Sequence, residues 1–190
     1  MGLQSGVRKI GGEPVTKPND AWTRDFVADQ LANGQRIRAL TVVDLCTREC
    51  VAIEVGQQLR SEHVVQVLTR LTAQRGAPRR LFCDNGSEFC RQLVDLWAYQ
   101  HQVQIDCSRP GKPTDKAHVE SFNATLRREG LNAHWFEFLH EAHVRIDAWR
   151  REYNESRPHR ALQDQTPAEF AKRAAENPLC EPALIAGASP

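Results

Sequence analysis

Between Trp22 and Val55, three runs rich in Val, Ile, Leu and Thr follow one another with only short loops between them. Loops that short join antiparallel neighbours, because a parallel pair needs a crossover of a dozen residues or more. The first run is Trp22 to Val27, Asn33-Gly34 supplies a hairpin turn, Ile37 to Asp44 is the second, and Cys50 to Val55 is the third. After Ser61, the expected N-cap, the period changes: Val64, Val67, Leu68 and Leu71 recur at helical spacing until Gly76 and Pro78 end the run. A short apolar strand, Leu81 to Cys83, comes next. It is followed by Asp84-Asn85-Gly86, a second helix marked by Phe89, Leu93, Leu96 and Trp97, and a fifth strand from Val103 to Cys107. The loop Ser108 to Thr114, broken by Pro110, Gly111 and Pro113, leads into a third helix carrying Val119, Phe122 and Leu126. Ala142, Ile146, Trp149 and Tyr153 stripe a fourth helix, and Thr166-Pro167-Ala168-Glu169 is a capping box that opens a short last one.

The order describes an α/β chain with a mixed five-stranded sheet flanked by helices, the ribonuclease H-like arrangement. Residues 1–20 are expected as an extended or disordered leader, 21–176 as the catalytic core with its C-terminal helices, and 177–190 as a flexible tail. A chain of 190 residues with 41% hydrophobic content can fill one core. No apolar run approaches the roughly 18 residues that span a bilayer, and Met1 to Pro18 lacks a signal-peptide h-region, so a cytoplasmic location without membrane partners is expected. The six cysteines form no C-x-x-C pair and are expected as buried free thiols, and Trp97, Trp135 and Trp149 as core residues. A formal charge of +1 does not point to nucleic acid, so any such argument rests on local placement of charge.

Phosphodiester transfer requires an activated nucleophilic oxygen, a stabilised leaving oxygen and neutralised phosphoryl charge, which two divalent cations together supply. Hard cations take oxygen ligands, so carboxylates must meet at one point. Asp25 lies within the first strand, Asp84 directly after the fourth, and Glu120 in the helix after the Pro-Gly loop. Each has an ordinary alternative: a strand-edge residue for Asp25, turn chemistry for Asp84 and a solvated helix position for Glu120. Asp44, which also ends a strand, is the rival first carboxylate.

Their joint context is more specific. Trp22-Thr23-Arg24-Asp25-Phe26, Cys83-Asp84-Asn85-Gly86-Ser87-Glu88-Phe89 and His118-Val119-Glu120-Ser121-Phe122-Asn123 occur in this order, with 35 residues between Asp84 and Glu120. Here the sequence resembles the retroviral-type integrase core and, more closely, the DD(35)E transposases of the bacterial insertion sequence three family. The resemblance runs from Trp22 to Ala171. It includes Thr41-Val42-Val43-Asp44 with Thr47-Arg48-Glu49, Pro110-Gly111-Lys112-Pro113, Leu131-Asn132 with Trp135-Phe136, Tyr153-Asn154, Arg157-Pro158-His159 and Thr166-Pro167-Ala168-Glu169-Phe170. It implies that Asp25 and Asp84 hold one Mg²⁺ (or Mn²⁺) and Asp25 with Glu120 a second. It also implies DNA partners, both element ends and target, and a homo-oligomer that cleaves and then joins strands. A complete transposase of this kind carries a helix-turn-helix region before the core, whereas about 20 residues precede Trp22 here. Ala124 stands where the family often has Gly, and Asp115-Lys116 where it often has an amide residue.

On the third helix, Lys116, Glu120, Asn123 and Arg127 share one face, with Val119, Phe122 and Leu126 toward the core. Cations beside a catalytic acid suit phosphate contact, which makes Lys112, Lys116, Asn123 and Arg127 the candidate DNA-binding residues. Arg150, Arg151, Arg157, His159 and Arg160 form a second basic stretch, diluted by Glu152 and Glu155. The alternatives are a plain nuclease of the same fold and an inactive truncated transposase that only binds DNA or a partner.

Overall fold

The computed structural model describes residues 9–10, 13–83, 88–107 and 113–176. Strands β1 (Lys9–Ile10) and β2 (Glu13–Pro14) pair as a small antiparallel ribbon. The main sheet contains β3 (Ala21–Gln30), β4 (Arg36–Asp44), β5 (Cys50–Gly56), β6 (Arg80–Cys83) and β7 (Gln104–Cys107), in the order β5-β4-β3-β6-β7. The first three are antiparallel, as their short loops require; β6 runs parallel to β3, and β7 parallel to β6. Helix α1 (Ser61–Arg75) crosses from β5 to β6, and α2 (Glu88–Gln100) from β6 to β7. Helices α3 (Pro113–Thr125), α4 (Leu139–Ser156) and α5 (Pro167–Glu176) follow.

The period-two alternation of β4 divides the interior. Ile37, Ala39 and Val43 bury against Phe122 and Leu126 after β7 and against Ala142, Ile146 and Tyr153 of α4. Leu40 and Val42 face the other way, onto Val64, Leu68 and Leu71 of α1 and Val94 and Trp97 of α2. The edge strand β5 is closed by a side chain: Asn154 of α4 accepts from the Cys50 N–H at 2.9 Å and donates to the Cys50 carbonyl at 3.0 Å. That amide takes the place of a neighbouring strand at an exposed edge.

Several local expectations change. Ser61 is the first helical residue and is buried; the N-cap is Arg60, whose N–H donates to His63 Nδ1 at 3.2 Å. In α2 the buried stripe is Val94, Trp97 and Ala98, while Leu96 is 53% exposed. Trp135 is 79% exposed rather than in the core, because Phe136 beside it, in the non-helical link before α4, takes the buried place. The third helix widens into a π-helical turn over Leu126–Leu131, with the Asn132 N–H reaching back to the Arg127 carbonyl at 2.8 Å. Gly130 in that turn lies so close to α4 that a Cβ there would meet Leu126 at 3.0 Å and Trp149 at 3.5 Å. Packed structure also begins before Ala21. Val15 is buried, and the buried Asp20 carboxylate accepts from the Thr16 and Lys17 N–H groups at 2.8 and 3.1 Å.

Two expectations hold in detail. Gly76 closes α1 at φ 86°, a conformation that favours glycine. Thr166 and Glu169 form the reciprocal capping box, the Thr166 N–H donating to Glu169 Oε2 at 2.9 Å and the Glu169 N–H to Thr166 Oγ1 at 3.2 Å. Cys50 and Cys83 are buried free thiols and Cys46 is half-buried. The other three cysteines and residues 177–190 fall outside the described side chains. Among the described residues, no helix is long and apolar enough to cross a membrane.

Candidate active site

Asp25, on the central strand of the sheet, meets α3. Asp25 sits midway along β3, opposite Thr41 of β4, and is half-buried. Its Oδ1 accepts from the Phe26 N–H at 2.8 Å, and its Oδ2 from the Asn123 side-chain amide at 2.5 Å. Thr41 completes the junction, its hydroxyl lying 3.3 Å from the Asp25 carbonyl and 3.5 Å from Asn123 Oδ1. One residue type therefore ties the helix to the strand at the level of Asp25. Farther along, Arg127 Nη1 donates to the Ala28 carbonyl at 3.2 Å, so the same helical face continues down β3.

Glu120 lies three residues before Asn123, on the face that Asn123 turns toward Asp25. It is exposed, and among the described residues it makes no ion pair or hydrogen bond. Phe122 and Leu126 are buried on the opposite side, and Val119 is half-buried, as the helical pattern requires. Asp84 and Lys112 fall outside the described residues, as does the side chain of Lys116. Among the described residues, no three acidic, histidine or cysteine side chains gather into a metal site.

Asp44, the rival first carboxylate, has a different task. It is fully buried where β4 ends. One oxygen accepts from the Cys46 and Thr47 N–H groups at 2.8 and 3.1 Å; the other accepts from the Asn19 N–H at 2.8 Å and faces Arg75 at 3.7 Å. Burial raises its pKa above the ordinary value, against the lowering by those N–H groups and by the Arg75 charge. A carboxylate so enclosed shapes the turn between β4 and β5.

The residue whose importance sequence reasoning underrated is Asn123. Its shared face with Lys116 and Arg127 predicts a DNA contact, whereas here its amide donates to Asp25. The signal that could have revealed this is its i+3 spacing from Glu120, which places any amide there at the same depth as the acid. The second basic stretch is largely paired: Arg150 and Arg151 with Asp147, and Arg157 with Glu129.

Comparison with known proteins agrees with this arrangement. The family model described as Integrase core domain matches residues 15–113, just over half of the chain, and a second model of that description matches residues 101–167. The chain is 45% identical over 156 residues to the insertion element IS407 uncharacterized 31.7 kDa protein of Burkholderia multivorans, covering 82% of this chain and 56% of that one. It is 28% identical over 161 residues to the transposase for insertion sequence element IS904 of Lactococcus lactis, covering 83% of this chain and 63% of the relative. The chain thus spans about half the length of the curated relatives it matches first. Among solved structures, the simian T-cell lymphotropic virus intasome aligns with a TM-score of 0.71 at 17% identity, covering 100% of this chain and 66% of that one. The HTLV-2 integrase catalytic core, solved in complex with magnesium, aligns at 0.65 and 14% identity, covering 82% and 97%. These structural likenesses establish the ribonuclease H-like fold. With the sheet order and the family match in agreement, the chain belongs to the integrase core domain family.

Proposed function

We propose that this chain is the catalytic core of a DNA transposase, in which Asp25, Asp84 and Glu120 are the carboxylates of a two-metal site for strand cleavage and joining. The observation that supports this reading is the Asn123 to Asp25 hydrogen bond, which joins the helix that carries Glu120 to a carboxylate on the central strand. Sequence arithmetic supports the third member. β3 and β6 are parallel neighbours with Thr23 opposite Phe82, and Asp84 follows Phe82 by two positions, as Asp25 follows Thr23. The relative from Lactococcus lactis is named a transposase, and the HTLV-2 core was solved with magnesium.

The donor set fits hard cations: carboxylate oxygens, one of them oriented by an amide. Asp25 and Asp84 would hold one Mg²⁺ and Asp25 with Glu120 the other. Bound there, the ions would supply Lewis acidity for the entering and leaving oxygens. The protein's own part is orientation. Asn123 fixes the Asp25 carboxylate, Thr41 fixes Asn123, and the exposed Glu120 remains available to a ligand from solvent. Lys112, Lys116 and Arg127 are proposed to contact phosphates. Asn123 is reassigned from DNA contact to positioning. Assembly into a homo-oligomer is part of the same proposal.

The test is a joining assay with a labelled oligonucleotide bearing a free 3′-hydroxyl, a target duplex and Mg²⁺. A transposase core yields a joined product. Cleavage without joining would identify a plain nuclease, and neither product would identify a chain that only binds.

A further inference from the structure

A second feature lies on the flank of α3 next to Glu120. A cleft of about 390 Å³ opens between Ser121 and Thr125 of α3 and the segment that follows α4. Four cationic or ionisable side chains line it, Arg48, Arg157, His159 and Arg160, together with the hydroxyl-bearing Ser121 and Thr125; among the described residues, no carboxylate lines it. We infer that this cleft binds a backbone phosphate of the DNA, beside the carboxylates and separate from them. The inference rests on the reading of the chain as a DNA-acting core.

The chemistry is that of an anion site. Arg157 is bonded to Glu129, which also pairs with Arg128, and Glu152 acts on it as well, so Arg160, which makes no ion pair among the described residues, is the cation left to an anion. Arg160 is exposed, with donors suited to phosphate oxygens. Behind it, the buried Nε2 of His159 has no hydrogen-bond partner among the described residues, and buried polar atoms are seldom left so. Tyr153 supports the wall, its ring stacking edge-on with His159 at 5.2 Å and receiving the Arg157 guanidinium at 5.9 Å.

The cleft is also held in shape. Arg48 is placed by the Asp44 turn with φ 63°, a left-handed conformation unfavourable to a side chain with a Cβ. On the other side, the His159 N–H donates to the Gln165 carbonyl at 2.9 Å and the Asp164 N–H to the His159 carbonyl at 3.0 Å. Gln163 and Asp164 are both left-handed, at φ 60° and 58°. Backbone strain at Arg48 in one wall, and at Gln163 and Asp164 in the loop that bonds to His159, is the pattern expected where a loop must present a side chain in one place.

The experiment measures binding of a labelled DNA duplex by fluorescence anisotropy across a salt series, with inorganic phosphate titrated in parallel by NMR. The proteins are the wild-type chain, Arg160→Ala, Arg160→Lys and Ser121→Asp. Each substituted side chain is exposed, and a thermal melt confirms folding. Arg160→Ala is expected to weaken duplex binding about fivefold at about 0.1 M salt and to reduce the slope of log K against log salt by about 1. Arg160→Lys should keep the slope, and Ser121→Asp should weaken binding about tenfold by like-charge repulsion with phosphate. Duplex affinity and salt slope within twofold of wild type in both Arg160→Ala and Ser121→Asp would overturn the inference; strand joining by wild type in the same preparation would leave the transposase reading standing. Loss of inorganic phosphate binding with unchanged duplex binding would assign the cleft to a free phosphate and overturn its assignment to DNA.

Discussion

Asp25 and Asp44 stand three rungs apart on one antiparallel ladder, Asp25 opposite Thr41 and Asp44 opposite Trp22, and the two carboxylates serve different ends. Asp44 is sealed from solvent and engaged on both oxygens by three backbone N–H groups and Arg75. Asp25 is half-buried, with the Phe26 N–H on one oxygen and the Asn123 amide of α3 on the other. A carboxylate surrounded by backbone donors determines the path of the chain, whereas one positioned by a side chain from another element marks where two elements meet over an open surface. Both end or interrupt apolar strand sequence, so their roles separate only when their partners are seen.

Substitution should cost most at Asp44. Replacing it with Ala leaves the buried N–H groups of Cys46 and Thr47 unsatisfied and Arg75 short of a partner. A loss of about 3 to 5 kcal/mol is expected, read as a shift in the urea midpoint. A loss under about 1 kcal/mol would place Asp44 outside the structural network. At Asn123 the effect should fall on activity: Asn123→Ala is expected to lower joining about 10 to 100-fold and raise the Mg²⁺ concentration for half-maximal rate, as loss of an outer-shell partner does. An unchanged Mg²⁺ dependence would mean that the Asp25 to Asn123 bond does not orient a metal ligand.

Away from both aspartates, Thr166→Ala should cost about 1 kcal/mol of thermal stability with joining intact, because it removes only one half of a capping box. The smallest effect concerns Glu129, whose pKa is lowered to about 2 from an ordinary 4.5 by hydrogen bonds from Arg157 and Arg128. A lowered folded-state value means stability that is present above pH 4.5 and lost as pH falls toward 2. Screened at the surface, the contribution is on the order of 1 kcal/mol. Glu129→Gln should therefore flatten the stability profile across that window, and a profile parallel to wild type would remove the pair from the account.

Much of the sheet was legible because loop length and side-chain period are direct physical constraints. Three runs joined by short loops had to be antiparallel, and the helical periods of α1 and α4 predicted Val64, Leu68, Ala142 and Ile146 as buried. The finer register was not. A two-residue Asn33-Gly34 turn would have paired Asp25 with Val42, but Leu31 bonds to Gln35 around a longer loop with Gly34 at φ 82°, and this places Thr41 opposite Asp25. Trp135 was misplaced because no period governs a non-helical link. The π-helical turn had no sequence signal beyond Gly130, whose close approach to Trp149 only the fold reveals. At the candidate site, motif order singles out Asp25 and Glu120, and the helical face of Asn123 is legible in the sequence, whereas its bond to Asp25 is not. Asp84 and Lys112 remain sequence readings, since both lie outside the described residues.

In the proposed site, Glu120 acts as a metal-holding carboxylate and not as a solvated helix residue. The most direct test of that role is the joining rate of Glu120→Gln in Mg²⁺, measured beside a thermal melt and duplex binding. The amide preserves side-chain volume and nearly preserves helix propensity, so the melting midpoint should move by no more than about 2 °C. Duplex binding should be retained or slightly tighter with one carboxylate removed. No joined product in a normally folded, DNA-binding Glu120→Gln is the expected result, and wild-type joining in that protein would contradict the account.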